Sequence, residues 1–125
     1  MRLLGIDYGS KRVGIALSDE AGVMAFPHSV LPNDERLLTL ITQLVIDKNV
    51  QAIVVGHSLD RTGNTNEIHV AVEALMVDLT LALGVPIHLQ PEHYTTKQAL
   101  RDQGRNDKLD ASAAALILNS YITQK

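Results

Sequence analysis

Leu3-Leu4-Gly5-Ile6-Asp7-Tyr8-Gly9-Ser10-Lys11-Arg12-Val13-Gly14-Ile15-Ala16-Leu17 is the stretch that decides how this chain is read. An apolar run delivers Asp7 to its tip, Gly9 permits a tight turn, and a second apolar run begins at once. Strands are therefore expected over Arg2 to Tyr8 and Arg12 to Ser18, close enough for a hairpin. The first shows little polar alternation, as expected when both faces of a sheet are covered. A carboxylate at the mouth of such a sheet costs free energy to bury unless something cationic offsets it.

Outward from this hairpin, Asp19-Glu20-Ala21-Gly22 reads as a turn, and Val23 to Val30 as a Pro-interrupted strand suited to an edge. Pro32-Asn33-Asp34-Glu35 then opens a helix, with Asn33 as N-cap and two acids on its dipole. Leu37, Leu40, Ile41, Leu44 and Val45 form the apolar stripe. Gln51 to Gly56 is a short buried strand, followed by a polar loop from Ser58 to Asn64. Thr65 to Leu83 is a long helix stopped by Gly84, with Pro86 beyond. Val70, Met76, Val77 and Leu81 widen its apolar face, which favours deep packing over self-association. Val85 to Gln90 is a further strand. Thr95-x-x-Gln98 fits a capping box for a short helix ended by Gly104, and Asp107 to Thr123 is the last helix.

Three strands joined by tight turns make a meander, and strands joined by helices run parallel to the first. The expected architecture is α/β: one domain over 1–125, with a five-stranded mixed sheet of order 3-2-1-4-5. Strand 2 is antiparallel, and helices cover both faces. This is the ribonuclease-H-like layout.

The composition excludes several function classes. The chain of 125 residues has 46% hydrophobic and 20% charged residues, as a folded globular protein does. Three Tyr, one Phe and no Trp leave no base-stacking platform. A formal net charge of -3 gives no bulk attraction to polyanions, so a nucleic acid needs a local basic patch or bound cations. Without Cys, disulfides and thiolate metal sites are ruled out. Strand-like sequence from Arg2 leaves no room for a signal peptide, and no run is long enough to cross a bilayer. A cytoplasmic protein is expected, with no membrane partner.

With this strand order, Asp7, then Gly56-His57-Ser58, then Glu92 follow the carboxyl ends of strands 1, 4 and 5. Ligand crevices form where winding direction changes in such sheets. Asp110, in the first turn of the last helix, could close the group. Three neighbouring acids repel one another unless divalent cations lie between them, and hard oxygen donors favour Mg²⁺ or Mn²⁺. Two such ions roughly 3.5–4 Å apart are a means of hydrolysing a phosphodiester. Each acid also has a plainer explanation. Asp7 could serve the turn at Gly9, although its place in an apolar run favours a site. Taken singly, Asp110 reads as a helix-start acid, and Glu92 is divided between surface and site. Ser10, Lys11 and Arg12 could meet a phosphate, as could His57, Ser58 and Arg61 beyond strand 4. Thr95 and Lys97 complete the substrate-binding candidates; acids interleave with the basic residues around Lys97.

These residues resemble a known family. Gly5-Ile6-Asp7-Tyr8-Gly9-Ser10-Lys11-Arg12-Val13-Gly14-Ile15-Ala16, Ile53-Val54-Val55-Gly56, the Gly63 loop, Glu92 with Thr95-Thr96, and Leu109-Asp110-Ala111-Ser112-Ala113-Ala114 are similar, in this order, to the YqgF (RuvX-like) family. The resemblance implies a ribonuclease-H-like nuclease of pre-16S ribosomal RNA, or a relative of Holliday-junction resolvases. It also implies that Asp7, Glu92 and Asp110 are the catalytic, metal-binding acids. Pro91 and His93 flank the glutamate where an acid and an Arg are usual, and His57-Ser58 replaces a Leu-Pro pair. The expected partner is structured RNA, with branched DNA as the alternative, bound by a monomer or weak homodimer. A rival reading is a weakly active or inactive RNA- or protein-binding module of the same fold. An actin-like or sugar-kinase ATPase needs two such domains, and this length supplies one.

Overall fold

The computed structural model describes residues 1–9, 11–58, 67–92 and 107–123, with backbone alone for 57–58, 67–69, 91–92 and 107–110. The elements are β1 (Leu3–Tyr8), β2 (Arg12–Ser18), β3 (Ala25–Pro32), α1 (Leu37–Asp47), β4 (Ala52–Ser58), α2 (Glu67–Leu83), β5 (Ile87–Glu92) and α3 (Asp107–Thr123). The short helix expected from Thr95 and the loop beyond Ser58 lie outside the described residues. The strands form one sheet of order β3-β2-β1-β4-β5. β2 runs antiparallel to β1 and β3, while β1, β4 and β5 are parallel. This is the expected topology.

Side-chain alternation divides the core into two layers. On one face Leu4, Ile6, Val13, Ile15, Ile53 and Val55 meet Leu37, Ile41 and Val45 of α1 and Val72, Leu75 and Leu79 of α2. On the other, Leu3, Ala16, Ala52 and Val54 meet Ala114, Ala115, Ile117 and Leu118 of α3. β1 is buried from Leu3 through Asp7, which is why its sequence lacks alternation. Glycine sets how closely α3 approaches. A Cβ at Gly5 would lie 2.9 Å from Cβ of Leu118 and 3.0 Å from the carbonyl oxygen of Ala114. At Gly56 it would collide with Cδ1 of Ile117.

Three local expectations are corrected. Helix α1 begins at Leu37, not near Asn33, and Arg36 occupies its N-cap without a side-chain hydrogen bond. Its first turn carries no acid. Asn33 is engaged elsewhere, and Asp34 instead accepts from the Arg36 amide at 2.9 Å and from its guanidinium at 3.0 Å. The α1 C-terminus closes as a Schellman turn, with Val50 N–H on the Val45 carbonyl at 3.0 Å and Asn49 at φ 54°. The widened apolar face of α2 is not deeply packed: Val70, Val77 and Leu81 are 67%, 57% and 80% exposed. Finally, β5 runs through Pro91 to Glu92, two residues further than expected. A proline is tolerated there because β5 is an edge strand with one partner.

Two outcomes follow. Gly5→Val should force α3 off the sheet and cost about 1–3 kcal/mol, read as a lower urea midpoint at unchanged slope. In the β2–β3 turn, amides of Val23 (2.8 Å) and Met24 (3.3 Å) donate to Asp19 and hold its carboxyl below the usual range, Val23 contributing most. A carboxyl whose folded pKa lies below its unfolded one adds stability above the unfolded value and loses it as pH falls through the folded value. Asp19→Asn keeps an acceptor but cannot titrate. Its thermal midpoint should therefore gain on wild type as the solution is acidified.

Candidate active site

Asp7 is the next-to-last residue of β1 and is 7% exposed. Its strand neighbours in register are Gly14 of β2 and Gly56 of β4, and Gly56 pairs in turn with Gln90 of β5. The row across the sheet at this level is thus Gly14, Asp7, Gly56, Gln90. Strand alternation puts it on the face that α3 covers, with Leu3, Ala16 and Val54. Two glycines beside the carboxylate remove lateral side chains, and at Gly56 the space is taken by Ile117. The helix that carries Asp110 is thereby drawn close to the Asp7 row.

The carboxyl ends of β1, β4 and β5 share one edge because these strands are parallel. β4 ends on His57-Ser58, and Glu92, the last residue of β5, pairs with Ser58. Glu92 falls two residues beyond Gln90, at a register position on the α3 face. Its backbone stands roughly 10 Å from β1 across two strand spacings. Asp110 occupies the first turn of α3, seven residues before Ile117. His88, two positions below Gln90 on β5, stacks on Tyr121 with ring centroids 5.1 Å apart. Followed back from Tyr121 to Ile117, α3 therefore climbs toward the edge where Asp7 and Glu92 sit. The backbone places Asp7 and Glu92 on one face and at one edge, and Asp110 in the first turn of the helix that covers that face. Among the described residues no three potential metal ligands cluster, since only Asp7 of the three has a described side chain.

The turn that follows β1 is tightly built. A Cβ at Gly9 would lie 2.5 Å from the Arg12 carbonyl oxygen, so only glycine fits without movement. Lys11 is exposed and Arg12 half-buried. Ser10, Arg61, Thr95 and Lys97 lie outside the described residues, and for His57 and Ser58 only the backbone is described. Asp34, two residues beyond the end of β3, has its carboxyl held below the usual range, chiefly by the Arg36 guanidinium, whose own pKa is raised in return.

Two residues of this edge escape a reading of the sequence alone. Gln90 is 6% exposed in the Asp7 row, and the only signal is a polar residue closing an apolar strand. Asn33 donates from Nδ2 to the Gly9 carbonyl at 2.8 Å, a contact across 24 positions that no local pattern announces. As for a metal, a buried carboxylate at a strand tip, in a chain without Cys, offers the hard oxygen donor that Mg²⁺ and Mn²⁺ prefer. In its chemistry the Asp7 carboxylate fits such an ion.

Known proteins share this arrangement of sequence. The chain is 33% identical to a protein of Rickettsia typhi named as a candidate pre-16S rRNA nuclease, over 93% of this chain and 81% of that one. It is 32% identical to a Lachnospira eligens protein of the same name, covering 100% and 99% of the two. Among solved structures, Thermus thermophilus RuvC in complex with a Holliday junction substrate superposes with a TM-score of 0.65 at 19% identity, covering 99% of this chain and 95% of RuvC. That likeness shows a shared fold, the ribonuclease-H-like fold of RuvC-type resolvases. The family model described as RuvX, Holliday junction resolvase, matches residues 1–124. The chain belongs to the RuvX family of nucleases.

Proposed function

We propose that this chain is a divalent-metal-dependent nuclease that trims the precursor of the small-subunit ribosomal RNA. The observation that carries this reading is the buried carboxylate of Asp7 at the edge where β1, β4 and β5 all end. Asp7, Glu92 and Asp110 would hold Mg²⁺ or Mn²⁺, which would supply the Lewis acidity that phosphodiester hydrolysis needs. A buried carboxylate costs free energy unless a cation compensates it, and a divalent ion at Asp7 would do so. Lys11, exposed at the β1–β2 turn, would meet a phosphate, with Arg12 next to it in the chain. Ser10, His57, Ser58, Arg61, Thr95 and Lys97 would hold the nucleic-acid backbone. A net charge of -3 argues for this local grip, because long-range attraction is absent. The names of the relatives support a ribosomal RNA precursor as the substrate, and action in the cytoplasm would suit it.

A second reading is supported by one feature. The exposed Val70, Val77 and Leu81 on α2 would suit a homodimer, and resolving a four-way DNA junction needs two opposed sites. Light scattering alongside a junction-cleavage assay separates the two. A monomer that trims RNA ends and leaves junctions intact supports the first, while a dimer that nicks junctions symmetrically supports the second.

Asp7→Asn, Glu92→Gln and Asp110→Asn should each fold and lose RNA cleavage by at least about a hundredfold, since even residues behind metal ligands cost 10–100-fold. Chelation with EDTA should stop wild-type cleavage, and Mn²⁺ or Mg²⁺ should restore it. Cleavage at the wild-type rate by a folded Asp7→Asn variant would remove the basis of the assignment.

A further inference from the structure

Asn33 stands at the end of β3, yet it touches the exit of β1 on the far side of β2. Its backbone N–H donates to the Lys11 carbonyl at 3.0 Å, extending the β2–β3 ladder by one bond beyond the Arg12–Pro32 pair. Its side-chain Nδ2 donates to the Gly9 carbonyl at 2.8 Å. One residue therefore grips both sides of the turn that follows Asp7. It is itself well anchored: Pro32 fixes the backbone before it, and the Asp34–Arg36 turn follows it. Half-burial limits competition from water for the bond to Gly9.

We propose that Asn33 is a positioning residue for Asp7, holding the β1 exit so that the carboxylate meets the metal in one fixed place. This rests on the nuclease reading above and adds a member to the site from outside the three acids. The Gly9 carbonyl lies two residues beyond Asp7, and Asp7 itself is paired to glycines on both sides. The ladder holds β1 as far as the Tyr8–Val13 pair, and Asn33 adds a restraint on the chain just beyond it. Asparagine suits the position because it combines a short reach with a donor. Aspartate has the same shape but would set an acceptor against the Gly9 carbonyl.

The experiment compares wild type, Asn33→Asp, Asn33→Ala and Asp7→Asn in three measurements: Mn²⁺ affinity by electron paramagnetic resonance, steady-state RNA cleavage, and thermal unfolding. Both Asn33 variants should bind Mn²⁺ about tenfold more weakly and show kcat about tenfold lower, as for residues that orient metal ligands. KM should stay at the wild-type value, and the unfolding midpoint should fall only by the few degrees that the loss of one hydrogen bond costs, leaving both variants folded at the assay temperature. Should Asn33→Asp not fold, Asn33→Ala decides alone. Wild-type Mn²⁺ affinity in the Asn33 variants, or losses that merely track the unfolded fraction, overturns the proposal. Absence of Mn²⁺ binding by the wild-type protein overturns it too. If the wild type binds Mn²⁺ through Asp7 but cleaves no RNA, weaker binding by the Asn33 variants still upholds the positioning role while the nuclease reading falls.

Discussion

The close seating of α3 on the β1–β4 pair is the constraint on which the rest of this structure depends. Gly5 and Gly56 present bare backbone to the helix, and Ala114, Ile117 and Leu118 descend onto it. Packing at this density tolerates little change in volume, so the height and direction of α3 are determined to a fraction of an ångström. The same helix carries Asp110 in its first turn and rests on the face that holds Asp7. On the proposed function, stability and chemistry thus share one contact. A helix free to slide on the sheet would lose both, and an alanine-rich stripe is what allows it to lie so low.

The Asp7 row shows how the two demands are reconciled. A central strand is the best place to fix a side chain, because hydrogen bonds on both sides hold its backbone. It is also the worst place for a charge, because burial removes solvent. Having Asp7 near the strand's carboxyl end, with only Tyr8 beyond it, keeps the rigidity and gives access to the sheet edge. The glycines beside it keep neighbouring side chains from crowding the carboxylate. In an enzyme, a residue held by its scaffold rather than by its own flexibility needs less reorganisation when the reaction begins.

Much of this was legible in the sequence, for physical reasons that differ by residue. The β1–β2 hairpin and the strand order could be read because long apolar runs and short turns leave few alternatives. Asp7 stood out because an acid inside such a run has no cheap explanation. The start of α1 was misread because Asn33 and Asp34 are both good capping residues, and capping patterns look only a few positions ahead. The bond from Asn33 to Gly9 spans a whole strand and leaves no periodic trace. The end of β5 was placed too early because proline normally stops a strand, and only the sheet order reveals β5 as an edge where it does not. On α2, hydrophobic period identifies the helix but cannot tell how much of a broad apolar face is covered. Leu81 lies in open solvent for all its apolarity.

The placement of prolines on the outermost strands has a consequence for how this molecule behaves among others. β3 carries Pro27 and Pro32, and β5 carries Pro91, so each margin lacks amide donors that an incoming chain would use. Recruitment of a stray peptide as a sixth strand, the usual start of fibrillar assembly, is thereby discouraged at both borders. The sheet is kept finite in this way, and side chains are left to make the contacts with other molecules.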